Sequence, residues 1–265
     1  MGRVARALVL HELLERTRDR WVVVVSVVFA LLASGVSLYA RSAEASAERL
    51  TGPSLVTLVG LVVPLIALVL GHDAIVGERE RNTLGLLLSL PISKLELVMA
   101  KFVGRCLALC LALAIGLGAA LAFAEPVQRS VLAALIVPTI LLGVAFLAIG
   151  VLVSATTRRQ ITAASIVVVI WFLFVFFYDL GILGVLVITD GQVSTNIVAG
   201  LVSANPAGLF RVEMMLRFLG PGMLDNLPSN VELPTRLGSA AIWAGWIALP
   251  PLVSALLLRL ERGKR

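Results

Sequence analysis

The residues that could do chemistry in this chain are few, and they lie within or beside long apolar runs. Cys106 and Cys110 stand four residues apart, so on one helix both could face a single metal ion or oxidant. Cysteine is also a small, soft packing residue, and its place inside an apolar run favours packing. Two cysteines in this arrangement exclude a disulfide framework, and we predict no metal site from them.

Methionine, histidine and aspartate offer a second set of candidates. Met214, Met215 and Met223 could bind copper as soft ligands, although methionine is more often a packing residue. His72 and Asp73 end an apolar run, where ionisable residues are functional candidates by default. At such an end they can also reach lipid headgroups or pair with nearby arginines. The apolar runs have no acid at mid-depth, which argues against proton-coupled transport.

Motifs for catalysis are absent from the sequence. It has no G-x-x-x-x-G-K-[ST] loop to hold ATP phosphates, no H-E-x-x-H and no G-x-S-x-G. We therefore predict no catalytic residue and no cofactor bound by this chain, and an intramembrane enzyme is disfavoured. If ATP drives the protein, a separate chain must supply the nucleotide site.

The composition is that of a membrane protein. Hydrophobic residues make up 59% of the 265 residues, charged residues only 14%, and the mean hydropathy is +1.02. Soluble domains are typically about 45–50% apolar and about 25% charged. The net charge is +6, but the basic residues stand at the ends of apolar runs. That pattern sets membrane topology and excludes a nucleic-acid-binding face, which would collect them on one surface.

Six apolar runs are long enough to cross a bilayer. About 20 residues at 1.5 Å each span a hydrocarbon core of about 30 Å, and an open backbone in lipid must be helical. The predicted spans are Trp21–Ala40, Leu55–Val76, Phe102–Phe123, Val131–Ser154, Ile161–Leu180 and Ser239–Leu258. The exit of the fifth is open, because Gly181 to Ile188 stays apolar and could extend the helix or fold back. The sequence thus predicts one all-α polytopic domain, residues 1–265.

The distribution of basic residues predicts the orientation. One side would carry 16 of the 22 lysines and arginines, in or beside short segments, as the positive-inside rule requires of the cytoplasmic face. Both termini and residues 77–101 would then be cytoplasmic, and residues 181–238 would lie outside. We expect a bacterial or archaeal inner membrane.

The first 20 residues favour an interfacial helix. Ala7, Leu10 and Leu14 share one helical face, with Glu12, Glu15 and Arg16 opposite. A solvated tail is the alternative, because other apolar residues blur the pattern.

Small residues recur at every fourth position along two predicted spans. The ridge in the third span is Gly104, Ala108, Ala112, Gly116 and Ala120, and the sixth span has Ala240, Ala244 and Ala248. Such ridges allow close packing of membrane helices. We expect the third span to pack against protein, within the chain or across a dimer. In the sixth span, alanine could simply reflect the composition.

The segment from Gly77 to Lys101 is the most informative part of the sequence. It opens with alternating charges, continues as an apolar run from Leu84 to Leu90, and is interrupted by Pro91. Ser93 stands three residues before Glu96, which is a capping box that starts a new helix. The segment is therefore predicted to be a rigid protrusion whose leucines need a partner surface.

This segment resembles the hallmark loop of the permease subunits of ABC-2 type transporters. The matching residues are Glu78, Arg79, Glu80, Arg81, Thr83, Leu84, Pro91 and Ser93. Asn82 stands where the family more often has glycine. The resemblance implies six spans, a lateral N-terminal helix and a coupling helix at 77–101 that docks on a cytoplasmic ABC ATPase, with ATP and Mg²⁺ bound by that partner. A symmetric pair of chains is expected, since one six-helix bundle is small for a transport pathway.

A narrower resemblance is to the permeases that help mature the copper sites of nitrous oxide reductase in denitrifying bacteria. It rests on the length, on residues 154–160 and on residues 205–211 of the outer segment. Asn205 and Pro206 mark the start of an outer helix. The outer segment is either a cap over the helix bundle or a platform for an external partner, and as a platform it would present Asn205, Pro206, Phe210 and Arg211 to a periplasmic accessory protein. The resemblance implies copper-site maturation. The alternatives are an ABC-2 exporter of a lipid or drug-like molecule and a passive scaffold.

Overall fold

The computed structural model describes residues 2–17, 46–123, 126–219 and 235–261, together with the isolated positions 27, 30, 31, 34 and 35. Helices joined by short turns make up these residues, and no strand occurs among them. The prediction of an all-α chain is therefore confirmed for the part of the sequence that is described.

The helices follow one another with few connecting residues. They are α1 Arg3–Thr17, α2 Ser46–Gly71, α3 Val76–Glu80, α4 Leu84–Ser89, α5 Lys94–Phe123, α6 Pro126–Thr156, α7 Gln160–Phe172, a π-helical turn Leu173–Phe177, α8 Tyr178–Ile188, α9 Thr195–Ala204, α10 Pro206–Leu219 and α11 Arg236–Glu261.

Five stretches of the described residues are long and apolar enough to cross a membrane. They are Gly52–Glu80, Lys94–Ala122, Arg129–Thr156, Gln160–Ile188 and Arg236–Leu260. They correspond to the second to sixth predicted spans, each somewhat longer than predicted. The first predicted span, Trp21–Ala40, lies outside the described residues except at the isolated positions. The predicted total of six therefore stays a prediction.

The fifth predicted span continues beyond Leu180 as a helix. After the π-helical turn, α8 runs on to Ile188, so the apolar stretch extends the helix rather than folding back. Exposed large side chains occur along its whole length, from Ile161 to Ile188, although Val167 and Val175 are buried. In a bilayer this surface faces lipid or another chain.

Helices α2 and α6 approach each other closely through two glycines. A Cβ atom on Gly71 would lie 2.8 Å from the Leu147 carbonyl oxygen, and one on Gly150 would lie 2.8 Å from the Leu68 carbonyl oxygen. Both distances are far inside van der Waals contact, and the obstacle is backbone. The approach of these helices therefore depends on the absence of a side chain at both positions.

We expect Gly150→Leu to lower the free energy of unfolding by about 1–3 kcal/mol, because overpacking a contact forces its neighbours apart. Gly184→Leu is the matched control, since nothing lies within 4 Å of a Cβ atom on this helical glycine. Thermal unfolding of both variants in detergent measures the difference. Equal midpoints for the two variants would contradict the proposed role of Gly150.

The two ridges of small residues differ in burial. All five residues of the α5 ridge, from Gly104 to Ala120, are buried in the single chain, in agreement with the expectation that this helix packs against protein. The three alanines of α11 are exposed instead. That helix turns another face inward, with Trp243, Ser254 and Leu258 buried. Its alanine ridge therefore makes no packing face within the described chain.

Helix α1 packs lengthwise against α5. A Cβ atom on Gly104 would lie 2.7 Å from the Glu12 Cβ atom, so α1 rests on the backbone of α5 at this point. Leu10 and Leu14 are more than half exposed, whereas Glu12 is 3% exposed. The solvated-tail alternative is therefore wrong. The Glu12 carboxylate, on the face opposite Leu10 and Leu14, turns into the bundle.

Candidate functional site

Six charged side chains meet at the end of the bundle where most of the lysines and arginines of the sequence lie, and we name it the basic end. They come from α1, from the end of α2, from α3 and from the first turns of α5. We refer to these residues, Glu12, Arg16, Asp73, Glu78, Lys101 and Arg105, as the charged junction. Three are acids and three are bases, so the group is balanced in charge.

Arg105 is at the centre of the charged junction and is 1% exposed. Its Nε atom donates to Glu12 Oε1 at 2.7 Å. Its Nη1 atom donates to the Asp73 carboxylate and to the Leu70 carbonyl oxygen. One guanidinium therefore joins α1 to the end of α2, which a planar group with several donors can do from a single position.

Lys101 extends these connections to α3. Its Nζ atom donates to Glu12 Oε2 at 3.0 Å and to Glu78 Oε1 at 2.8 Å. A second link from α1 to α2 comes from Arg16, whose Nη2 atom donates to Asp73 Oδ2 at 2.8 Å. Asp73 therefore pairs with arginines of α1 and α5, and not with the nearby loop arginines that the sequence suggested. Helix α1 is bonded to three other elements through this network.

The junction residues of α1 are held in their charged forms. Burial alone would raise the pKa of Glu12, but the charges of Arg105 and Lys101 outweigh burial and hold that pKa below its ordinary value. Burial would likewise lower the pKa of Arg16, and the Asp73 and Glu12 carboxylates raise it instead. Because burying paired charges costs desolvation energy, such a cluster is weak evidence for stability and is better explained by fixing the register of its helices.

The end of α6 holds the start of α3 from the other side. The Ser154 hydroxyl, fully buried at the end of α6, accepts hydrogen bonds from the backbone N–H groups of Ile75 at 2.8 Å and Val76 at 3.0 Å. These N–H groups start the short helix α3, which has no cap from its own preceding residue. Ser154 therefore caps α3 from a distant part of the chain.

Two more bonds connect α3 to the start of α7. Arg79 donates to the Thr157 carbonyl oxygen, and Glu80 Oε1 accepts from the Gln160 N–H group at 2.8 Å. A carboxylate at the first turn of a helix is favourably placed for the helix dipole. The two sequence segments noted separately, 77–83 and 154–160, thus form one contact.

The turn between α3 and α4 explains why Asn82 is tolerated. Its φ angle is 58°, in the left-handed region that glycine adopts most easily and asparagine next. Asparagine is therefore a physically acceptable replacement for the glycine that the resemblance implies. The Thr83 hydroxyl bonds Glu78, which closes the turn.

The rest of the segment projects from the bundle. Leu86 in α4 is 69% exposed, and Pro91 follows in an exposed bend. The capping box is confirmed, because Ser93 N–H donates to Glu96 Oε2 at 3.0 Å and Glu96 N–H donates to the Ser93 hydroxyl at 3.1 Å. Lys94 Nζ donates to the Leu258 carbonyl oxygen at 2.6 Å, which attaches the start of α5 to the end of α11.

The predicted site residues thus divide into two groups. Glu78, Arg79 and Glu80 bond to other parts of the chain, whereas Arg81 and Pro91 are among the exposed residues of the segment. Glu12, Lys101, Arg105 and Ser154 were not predicted from the sequence to be members of one site. An available signal was the pair of basic residues Lys101 and Arg105 at i, i+4 spacing, with Gly104 allowing a close neighbour.

At the opposite end of the bundle, the predicted helix start at Asn205 and Pro206 is confirmed. Asn205 Oδ1 accepts from Ala207 N–H at 3.0 Å, and its Nδ2 atom donates at 2.7 Å to the Phe174 carbonyl oxygen in the π-helical turn. Asn205, Pro206 and Phe210 are buried in the chain. They therefore build the α9–α10 hairpin from within and do not form an exposed patch, and the structure pairs Arg211 with Asp179.

The soft-ligand candidates lie among packing residues. Met214 is 3% exposed in the hydrophobic core, Met215 packs against that core, and Met223 lies outside the described residues. Cys106 and Cys110 are free thiols of intermediate exposure. Within the described ranges, no group of three or more His, Cys, Asp or Glu side chains is arranged to hold a metal ion.

These observations define a class of protein. It is a multi-pass helical membrane protein in which a charged segment is bonded to one end of the helix bundle. Residues 6–262 match the sequence profile of the ABC-2 family transporter proteins, so the chain belongs to that family. In an ABC transporter, a chain of this family is the permease, the subunit that lies in the membrane.

Two similar proteins are each described as a probable ABC transporter permease protein NosY. The protein from Pseudomonas aeruginosa is 34% identical over 250 residues, covering 88% of this chain and 91% of its own length. The protein from Stutzerimonas stutzeri is also 34% identical, over 264 residues, covering 94% of this chain and 95% of its own length.

Proposed function

We propose that this permease takes up the energy of ATP hydrolysis by a partner ATPase through residues 77–101 and converts it into movement at the opposite end of the bundle. The observation that supports this proposal is the bonding of α3 on both sides. Lys101 joins it to α1 and α5, and Ser154 and Gln160 join it to α6 and α7.

A displacement of α3 would therefore not be absorbed locally. A flexible loop could move alone, but α3 is bonded to α5 through Lys101, to α6 through a buried hydroxyl and to α7 through the exposed Glu80 carboxylate. Lys101 also bonds α1, so four longer helices are connected to α3. Packed helices respond to a push by shifting as units. The exposed surface of α4, with Leu86 outermost, is the part left for a partner to contact.

The orientation, the assembly and the cellular role complete the proposal. The positive-inside rule places the basic end in the cytoplasm of a bacterial or archaeal cell, where an ATPase can reach α4. Two copies of the chain pair, and each supplies one contact for an ATPase. On the resemblance of residues 154–160 and 205–211, the movement serves the copper-site maturation of nitrous oxide reductase together with a periplasmic accessory protein.

The partner surface can be tested at Leu86. We expect Leu86→Asp to reduce copurification of the ATPase at least about tenfold, because an apolar side chain at the centre of a contact is replaced by an unpaired charge. Copurification from membranes containing both subunits is the measurement. Charge reversal at Glu78 would not test the partner surface alone, because it would also break the bond between Glu78 and Lys101 inside the chain.

The control is Gln192→Asp, which places the same side chain at an exposed position at the opposite end of the bundle. It should insert in the membrane and retain the ATPase as the unaltered chain does. If Leu86→Asp retains the ATPase equally well, α4 is not the partner surface. Stimulation of ATPase activity by amphiphiles, without an external protein partner, would favour export over maturation.

A further inference from the structure

A cavity of about 410 Å³ lies beside the charged junction at the basic end. Its walls come from α1, α2 and α5, from the turn at Arg81 and from Gln160 at the start of α7. This volume lies within the range of small-molecule pockets, about 300–1,000 Å³. It does not admit another helix, whose diameter with side chains is about 10–12 Å.

The inner part of the cavity is apolar. Leu65 and Val69 line it from α2, and Ala108 and Ala112 line it from α5. From Leu65 to His72 the helix advances by about 10 Å. That depth is less than half of a hydrocarbon core of about 30 Å, so the cavity lies within one leaflet.

The end of the cavity nearest the charged junction is polar and carries both signs of charge. Arg81 and Glu15 line it, with an Nη1 to Oε1 distance of 3.6 Å and side-chain exposures of 60% and 39%. The two groups form an ion pair, but at a separation longer than a hydrogen bond, and both are accessible. The neighbouring Arg16 and Asp73 are bonded to each other. Arg81 and Glu15 are therefore the charged groups available to a ligand head.

We propose that this cavity binds one zwitterionic aminophospholipid from the adjacent leaflet. An acyl chain would lie between α2 and α5, the phosphate would contact Arg81, and the ammonium group would contact Glu15. In such a headgroup a phosphate and an ammonium group stand close together, as the two side chains do. An anionic headgroup without an amine would leave Glu15 facing a like charge.

The choice of headgroup makes the proposal testable. Phosphatidylethanolamine has both a positive charge and N–H donors for the Glu15 carboxylate, phosphatidylcholine has the charge without the donors, and phosphatidylglycerol has hydroxyl donors without the positive charge. We expect affinity for the full chain in detergent to fall in that order. Native mass spectrometry of the delipidated protein, titrated with the dioleoyl form of each lipid, measures binding directly.

The double variant Glu15→Gln with Arg81→Gln should weaken phosphatidylethanolamine binding about tenfold, since it removes two hydrogen bonds that involve charged groups. Both side chains are accessible, so the variant should fold. Arg158→Gln is the matched control, an exposed arginine at the same end of the bundle that does not line the cavity. It should bind the lipid normally.

Three results would overturn the proposal. These are no saturable binding of phosphatidylethanolamine, tighter binding of phosphatidylglycerol, or equal binding by the double variant and the unaltered chain. As an independent check, thermal unfolding midpoints should rise with added phosphatidylethanolamine for the unaltered chain and for Arg158→Gln, and not for the double variant.

Discussion

Arg105→Met is expected to lower the free energy of unfolding by about 3–5 kcal/mol, because removal of one partner from a buried charge cluster leaves the others uncompensated. Arg105 is bonded to both Glu12 and Asp73, and its side chain is 1% exposed. Methionine fills much of the same volume, so the loss of charge dominates the effect. Thermal unfolding and size-exclusion profiles of the full chain in detergent measure it.

A charge-balanced double variant separates this explanation from poor packing. With Glu12→Gln added to Arg105→Met, one acid and one base have been removed, and Asp73 keeps Arg16 while Glu78 keeps Lys101. Most of the lost stability should return. The surface variant Arg158→Met should behave as the unaltered chain does. A double variant no more stable than Arg105→Met would show that the charges are not what holds this end together.

The sequence predicts the structure correctly where the interactions that determine it lie between residues close together in the chain. Lipid forces a long apolar run into a helix, so five spans could be located from composition alone. Ser93 with Glu96 and Asn205 with Pro206 specify helix starts through neighbours within a few residues. The extension of the fifth span to Ile188 was left open, because an apolar run does not distinguish a continuing helix from a returning one.

The sequence was insufficient where partners are far apart along the chain. Glu12 and Arg105 meet only because α1 lies on Gly104, and nothing near Glu12 in the sequence distinguishes an inward carboxylate from a solvated one. The crossing at Gly71 and Gly150 likewise depends on how two helices are rotated. The α11 alanines have the same spacing as the α5 ridge and yet face outward, because Trp243 and its neighbours fill the inner face.

The two faces of α3 are held to the bundle by different kinds of contact. Toward α5 it is held by the charge pair of Glu78 with Lys101, which tolerates small changes of geometry because Coulomb attraction falls slowly with distance. Toward α6 it is held by hydrogen bonds to one hydroxyl, which weaken steeply with distance and angle. A displacement of α3 would therefore be transmitted to α6 through the hydrogen bonds to the Ser154 hydroxyl. These bonds depend more strongly on distance and angle than the charge pair does.

Ser154→Ala should release α3 from α6. The change leaves the N–H groups of Ile75 and Val76 buried without the hydroxyl that accepts from them, at a cost of about 1–3 kcal/mol each. A helix of five residues cannot compensate through its own stability, because short helices are marginal in water and gain most of their stability from packing. We expect faster amide hydrogen exchange across residues 75–83, measured by mass spectrometry on the full chain.

The matched control is Thr156→Ala, two residues further along, where the hydroxyl donates to the Val153 carbonyl oxygen of its own helix at 2.9 Å. Exchange at residues 75–83 should be unchanged in that variant. Because Leu86 and the other exposed residues of α4 remain accessible in Ser154→Ala, the ATPase should still copurify, while movement at the far end of the bundle should no longer follow nucleotide binding. Unchanged exchange in Ser154→Ala, or an equal increase in Thr156→Ala, would show that α3 is held to the bundle by its charge pairs instead.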